Sequence, residues 1–318
     1  MKLRSLECLC ETVRAGFNLS RAAQRLHSSQ PAVTRQIQLL EEELGFQLLR
    51  RRRNRVSGLT PQGEKVFARA ERIVYESTQL RQAGEELRSP ASGRLVIATT
   101  HIHARYTLLD VIKRFRQKYP DVSFSIQSGD PSSIAQLVST GQADLGISVA
   151  PSESHPELVT LPCYPIKRVV ITPVGHPLLK LGRRPTLGDL ARYPLVVYDQ
   201  RFSGGSRILA AFAAKGLAPN VVVSATDAEV VKAYVAEGLG IAAIQALAYS
   251  KTRDTGIKAI EADHLFGTPV AVITLRGGVF LRGYMYDFLK MLAPDLVQKK
   301  IDRLLQANAT PEGAPEFG

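Results

Sequence analysis

From Arg94 to Leu292 short apolar runs alternate with longer amphipathic stretches, and this pattern holds two-thirds of the chain to an α/β fold. Leu95 to Ala98, Val122 to Ile126 and Ala143 to Ser148 read as strands. Thr107 to Lys118 and Ser132 to Thr140 read as the helices between them. Val169 to Thr172, Leu195 to Tyr198, Val221 to Ser224 and Gly240 to Ile244 supply further strands, with helices over Gly205 to Lys215 and Asp227 to Glu237. Val270 to Leu275 and a helix over Leu281 to Leu292 return the chain to its first half. The order predicts parallel sheets in two lobes, joined by two crossovers with a cleft between them.

The first ninety residues follow another rule. Leu3, Leu6, Leu9 and Val13 recur at helical spacing. Ser20 can cap a short helix over Arg21 to Leu26, where Ala22 and Ala23 allow close helix contact. His27-Ser28-Ser29 makes a tight connection to a third helix, capped by Ser29 or Gln30, with Pro31 in its first turn and a buried stripe of Val33, Ile37, Leu40 and Leu44. Two short helices so joined form a helix-turn-helix, whose second helix enters the DNA major groove. Gln30, Thr34, Arg35 and Gln38 face away from the stripe and are residue types that read base edges. An ion pair with a nearby glutamate would also account for Arg35, and capping would account for Gln30.

Phe46 and Leu48 then alternate as a strand would, before Arg50, Arg51, Arg52, Arg53 and Arg55. Arginine runs are usually solvated faces. Directly after a recognition-helix pattern, this one reads as a wing making phosphate or minor-groove contacts. Thr60-Pro61 opens a helix to about Arg88 in which Val66, Ile73, Leu80 and Leu87 fall seven apart with Ala70 between. Heptad spacing predicts pairing between chains; packing on its own body is the alternative. Ser89 to Gly93 ends it as a linker.

Charge agrees with a polyanionic partner. The chain of 318 residues carries a formal net charge of +12, and residues 1–88 hold 16 Lys and Arg against 10 Asp and Glu, half the excess in little over a quarter of the length. Cys8, Cys10 and Cys163 form no paired framework, which suits a reducing compartment. Met1 to Gly16 alternates charged and apolar residues unlike a signal peptide, and the apolar run Leu239 to Ala248 is too short to span a bilayer. A cytoplasmic protein without a membrane partner is expected.

Three loops in the predicted cleft end a strand and open a helix: Thr99-Thr100-His101, Phe202-Ser203-Gly204-Gly205-Ser206 and Thr226-Asp227. Helix N–H groups and hydroxyls converging there favour an anion, although each hydroxyl alone would be accounted for by N-capping. His103 titrates near neutral pH if exposed, which predicts tighter anion binding as pH falls. No Gly-x-Ser-x-Gly elbow, P-loop or His-Glu-x-x-His helix is present, so no catalytic residue is assigned. His101 and His103 have no clustered Cys or carboxylate beside them, so neither a metal nor a cofactor is assigned.

Taken together the chain resembles the LysR-type transcriptional regulators over nearly its full length. Ala22-Ala23, Ser29-Gln30-Pro31, Leu39-Leu40-Glu41, Leu44-Gly45, Leu59-Thr60-Pro61 and Gly63 carry this likeness. Ala98-Thr99-Thr100-His101, Ala104-Arg105-Tyr106, Leu161-Pro162-Cys163-Tyr164, Tyr193-Pro194-Leu195, Ala225-Thr226-Asp227-Ala228, Phe280-Leu281-Arg282 and Tyr284 to Phe288 narrow it to the CysB-like branch, activators of sulfur assimilation and cysteine biosynthesis. The resemblance implies a winged helix-turn-helix over residues 1–59, with a linker helix and hinge over 60–92. A two-lobed, periplasmic-binding-protein-like effector domain follows over 93–306, lobe I being about 93–162 and 268–292 and lobe II about 163–267. Residues 307–318 are expected as a flexible tail.

It also implies a dimer of dimers that binds double-stranded promoter DNA and RNA polymerase. The implied effector is acetylserine-like, sulfate or a related anion, held near Thr100, Ser203 and Thr226 with residues 102 and 103 beside them. The branch carries Thr and Gln where Ile102 and His103 stand, a Thr where Val149 follows Ser148, and a Trp where Pro165-Ile166 lies. These changes remove hydroxyl and amide donors from the cleft. Two other readings fit parts of the chain. One is a two-lobed solute-binding protein and the other is an enzyme with a DNA-binding appendage.

Overall fold

The computed structural model describes residues 1–52, 55–150 and 155–307, and the side chains of Glu86 and Ser203 lie outside that description. Arg53 and residues 308–318 of the expected tail therefore lie outside the described residues. The chain divides into two compact units, Met1–Arg88 and Ser89–Gly318.

The first unit opens with α1 (Leu3–Arg14), α2 (Leu19–Arg25) and α3 (Gln30–Leu44). Leu6, Leu9, Ala23, Val33, Ile37 and Leu40 bury their apolar faces together. Asn18, not Ser20, caps α2, its side chain accepting from the Arg21 N–H at 3.0 Å; an Asn two residues earlier meets the helix's orphan donors first. The Ser20 hydroxyl instead donates to Gln30 Oε1 at 3.0 Å and ties α2 to the start of α3. Ser29 caps α3, and Gly45 ends it at φ 79°.

A buried carboxylate sets the exit from α3. Glu41 Oε1 accepts from the N–H groups of Leu48 at 2.7 Å and Leu49 at 3.1 Å. Because Glu41 takes these donors, Phe46 to Leu48 do not join a strand as expected, and β1 (Leu49–Arg52) begins at Leu49. It pairs antiparallel with β2 (Arg55–Leu59). Helix α4 (Pro61–Arg88) starts so close to this hairpin that a Cβ on Gly63 would lie 2.1 Å from the Leu48 carbonyl oxygen. Ala70 packs into the unit's own core, whereas Ile73, Leu80 and Leu87 are 43%, 76% and 89% exposed. Ala70 thus belongs to the body and not to an intermolecular seam.

The second unit contains β3 (Gly93–Thr99), α5 (His101–Tyr106), α6 (Leu108–Lys118), β4 (Val122–Ser128), α7 (Pro131–Ser139), β5 (Leu145–Val149) and β6 (Leu158–Pro165). The chain then crosses to β7 (Arg168–Pro173), α8 (Leu187–Leu190), β8 (Leu195–Tyr198), α9 (Ser203–Ala213), β9 (Val221–Ala225), α10 (Ala228–Ala236), β10 (Ala242–Gln245), β11 (Ile257–Glu261) and α11 (Asp263–Phe266). It returns through β12 (Val270–Arg276), α12 (Gly283–Leu292) and α13 (Gln298–Ala307).

Two lobes result. The first holds one sheet in the order β4-β3-β5-β12-β6, covered by α6, α12 and α13 on one face and α7 on the other. The second holds β10-β7-β11 and the pair β8-β9, joined by a bridge between Leu195 and Ile241. The expectation of purely parallel sheets is corrected. β12 runs antiparallel to β5 and β6, and β7 runs antiparallel to β10 and β11, because each returning crossover enters its sheet from the opposite end. Among the described residues, the parallel ladders are β3 with β4 and β5, and β8 with β9.

Replacing Glu41 by Ala leaves two buried N–H groups without an acceptor and should cost about 2–4 kcal/mol. Urea unfolding of the full chain should show this as an earlier loss of helical signal. Glu41→Gln keeps one acceptor and should lose less than half as much.

Candidate functional site

In the first unit α3 presents Gln30, Pro31, Arg35 and Gln38 exposed, with Thr34 half-buried, on the side away from Val33, Ile37 and Leu40. Ser29 stands exposed at the cap. Arg35 Nη1 lies 3.1 Å from Glu42 Oε1, and both side chains are solvated, so the pair contributes little and is readily exchanged. In the adjacent hairpin Arg51, Arg52 and Arg55 are exposed. Arg50 turns back instead, its Nε donating to the Leu59 carbonyl and its Nη2 lying 3.9 Å from Glu64 Oε1, so it is held within its own frame.

In the second unit a cavity of about 40 Å³ lies between the lobes. One ordered water needs roughly 10–15 Å³ in such a measure, so the space suits a group of a few heavy atoms. The first lobe lines it with Thr100, His101, Ile102, His103, Pro131 and Val149. The second contributes Arg168, Tyr198, Phe202, Gly204, Thr226 and Gln245. Thr100 stands at the N-cap of α5 without using its side chain to cap it. Asp227 does that work for α10, accepting from the Glu229 N–H at 2.7 Å and leaving Thr226 out of the cap.

Two expected site residues behave otherwise. Thr99 and Ser148 do not line the cavity. Thr99 Oγ1 donates to the Ile147 carbonyl at 2.8 Å and Ser148 Oγ to the Val149 carbonyl at 2.7 Å, both fully buried within the sheet. Ser203 begins α9, but its side chain lies outside the described residues. The glycines that follow admit the chain's own strand: a Cβ on Gly205 would sit 2.1 Å from the Tyr198 carbonyl oxygen.

His103 differs from expectation in its chemistry. Its ring is 1% exposed, and its Nδ1 lies 2.6 Å from the Tyr164 hydroxyl, which in turn meets Thr107 Oγ1 at 2.9 Å. Burial lowers its pKa to about 4, so at neutral pH it is an uncharged hydrogen-bonding group that supplies no positive charge to an anion. Burial likewise raises the Tyr164 hydroxyl above its ordinary value, so it stays protonated. Among the described residues no group of three or more His, Cys, Asp or Glu side chains is placed to hold a metal ion.

Arg168, Tyr198 and Gln245 were not singled out in the sequence. Arg168 opens β7, is 2% exposed, and its Nε and Nη1 have no hydrogen-bond partner among the described residues. The Tyr198 hydroxyl and Gln245 Oε1 are also buried without one. The available signal was a charge immediately before the apolar run Val169 to Thr172, which reads equally as a solvated strand end.

The lobes are also tied by packing at and beside the cavity. Ile102 and Tyr106 of α5 pack against the second lobe's Ile171, Val196 and Val231 cluster. The Tyr106 hydroxyl is hydrogen-bonded to Glu229, which pairs with the buried Lys232 at 2.8 Å; Lys232 also reaches Asp254 at 2.9 Å.

Comparison with known proteins agrees with this architecture. Residues 3–64 match the family described as "Bacterial regulatory helix-turn-helix protein, lysR family", and residues 88–293 match "LysR substrate binding domain". The HTH-type transcriptional regulator SsuR of Burkholderia cenocepacia is 42% identical across 96% of this chain and 99% of its own length. The HTH-type transcriptional regulator CysB of the same organism is 40% identical across 97% of this chain and 98% of its own. Among solved structures, the cofactor-binding domain of the Cbl transcriptional regulator superposes with a TM-score of 0.64 at 36% identity, covering 68% of this chain and 94% of that one.

The buried, neutral His103 makes stability depend on pH. Its folded pKa lies below the unfolded value of 6.5, so the unfolded chain binds more protons between about pH 4 and 6.5 and stability falls as pH drops through that window. From pH 7 to 5 the loss from this residue should be about 2 kcal/mol. Denaturant melts of wild type and His103→Gln at both pH values check this, and the variant should lose correspondingly less.

Proposed function

Since this chain belongs to the LysR family of transcriptional regulators, we propose that α3 reads promoter DNA while the interlobe cavity binds a small anionic or zwitterionic effector. The target genes are those of sulfur and cysteine metabolism, as the likeness to the CysB-like branch suggests. The observation that carries the DNA reading is the row Gln30, Thr34, Arg35 and Gln38 on the outward side of α3, beside the exposed Arg51, Arg52 and Arg55. The α3 row specifies sequence, and the wing neutralises phosphates. Arg35 leaves its solvated contact with Glu42 for a base edge at small cost.

The effector meets Thr100, Ile102, His103 and Val149 from one lobe and Thr226 from the other. Self-association uses the exposed row Ile73, Leu80 and Leu87 of α4, giving a dimer of dimers that works in the cytoplasm with RNA polymerase. Among the described residues no helix is long and apolar enough to cross a membrane.

Electrophoretic shift of duplex DNA from the chain's own promoter region tests the core of this reading; failure to shift it at low salt overturns it. Arg51→Ala with Arg52→Ala should weaken binding equally on specific and random duplex and flatten the log K against log salt slope by about 1–2. Arg35→Ala should instead narrow the gap between specific and random duplex by roughly 1–3 kcal/mol. For the α4 row, Ile73→Asp with Leu80→Asp should yield folded protein that sediments as a smaller species.

A further inference from the structure

We propose that Arg168 selects the effector class, and that the effector is an organic molecule carrying a single oxyanion group, sulfonate or carboxylate, in preference to inorganic sulfate. This rests on the effector-binding reading of the cavity and narrows it.

A guanidinium stays charged at physiological pH. Arg168 is 2% exposed, forms no ion pair among the described residues, and leaves Nε and Nη1 without partners at the cavity wall. An uncompensated buried charge is strongly unfavourable and persists only where something outside the fold repays it. Its neighbours offset it only in part. Asp263 attracts the guanidinium without forming an ion pair, its Oδ1 accepting from the Arg168 backbone N–H at 2.6 Å, while Arg207, on α9, adds a repulsive field of the same sign. Its backbone is held on both sides, because β7 lies between β10 and β11.

Two further unpartnered groups stand on the same wall. Gln245 is directly opposite Arg168 in the β7–β10 ladder, and the Tyr198 hydroxyl, kept protonated by burial, is a donor. Among the described second-lobe residues that line the cavity, Arg168 is therefore the one guanidinium, with neutral polar groups around it and Arg207 outside the lining. The facing wall carries Ile102, Val149 and Pro131, with Thr100 and the uncharged His103. An oxyanion placed on Arg168 gains charge-assisted hydrogen bonds, while a short hydrocarbon body lies against the apolar side. Inorganic sulfate has two charges for one guanidinium and would turn desolvated oxygens toward Ile102 and Val149.

Calorimetric titration of the full-length protein with ethanesulfonate, propionate and sulfate tests this. At least one of the two organic anions should bind about tenfold or more tighter than sulfate, and comparison of the two separates sulfonate from carboxylate. Arg168→Met should weaken the better ligand about a hundredfold, while its melting temperature without ligand stays equal to wild type or rises, since an unpaired buried charge has been removed. An arginine with a merely structural role would give the opposite pattern, lower melting and unchanged affinity. Sulfate binding tighter than both organic anions, or unaltered affinity in Arg168→Met, overturns the proposal while leaving the effector cavity standing. Absence of binding by all three at about 10 mM, in protein that still shifts promoter DNA, also overturns it and leaves the DNA-binding reading intact.

Discussion

The two segments that join the lobes run side by side, clipped by the Ile166 N–H donating to the Pro269 carbonyl at 2.7 Å. The cavity depends on this clip, because it fixes the axis along which the lobes face one another. Two residues beyond it stands Arg168, whose backbone is fastened on both sides: its N–H goes to Asp263, and its carbonyl accepts from the Ala262 N–H at 3.0 Å. The Lys167 carbonyl accepts from Ala246 at 2.8 Å. A strand anchored this firmly holds a charge in a site that a freer segment would vacate for water. The hydrogen bonds of the crossover thus hold Arg168 at the cavity wall, while among the described residues no carboxylate forms an ion pair with its guanidinium.

Helix α5 makes the cavity and the lobe angle interdependent. Its first turn supplies His101, Ile102 and His103 to the wall, and Tyr106 at its end meets Glu229 and Lys232 of the other lobe. With six residues there is no slack between these contacts. A group that displaces the first turn also strains the Tyr106 contact, so lobe closure and cavity occupancy share one free-energy balance. The Lys232 ammonium is further held by Asp254 and the Ala248 carbonyl, which keeps the partner of α5 fixed.

Much of this was legible in the sequence, for reasons that also explain the misses. Leu195 to Tyr198 was delimited to the residue, because four apolar residues bounded by Pro194 and Asp199 leave no other choice. The helices of the first unit followed from their buried stripes. β6 was passed over because Pro162, Cys163 and Pro165 interrupt its run, and prolines survive there because β6 is a sheet edge. β11 is likewise a short edge strand, whereas α13 was passed over although Val297, Ile301, Leu304 and Leu305 recur at helical spacing. Strand direction escaped because an apolar run records burial and not polarity. Thr99 and Thr100 show the limit at the site. Adjacent identical residues point to opposite sides of a strand end, and only the second lines the cavity.

The proposed arginine sites of this chain stand in two different settings, one exposed and one buried. Arg51, Arg52 and Arg55 stand in solvent, where their attraction for phosphates acts through the ionic atmosphere and weakens steeply as salt rises. Arg168 is closed off from that atmosphere, so its field is little screened and acts only on a group that enters the cavity. In the proposed reading the wing gains affinity for any duplex, whereas the buried guanidinium discriminates, since its desolvation makes an ill-fitting ligand costly. On that reading the wing binds DNA broadly while the cavity stays selective, because the two sites answer differently to the same ionic surroundings.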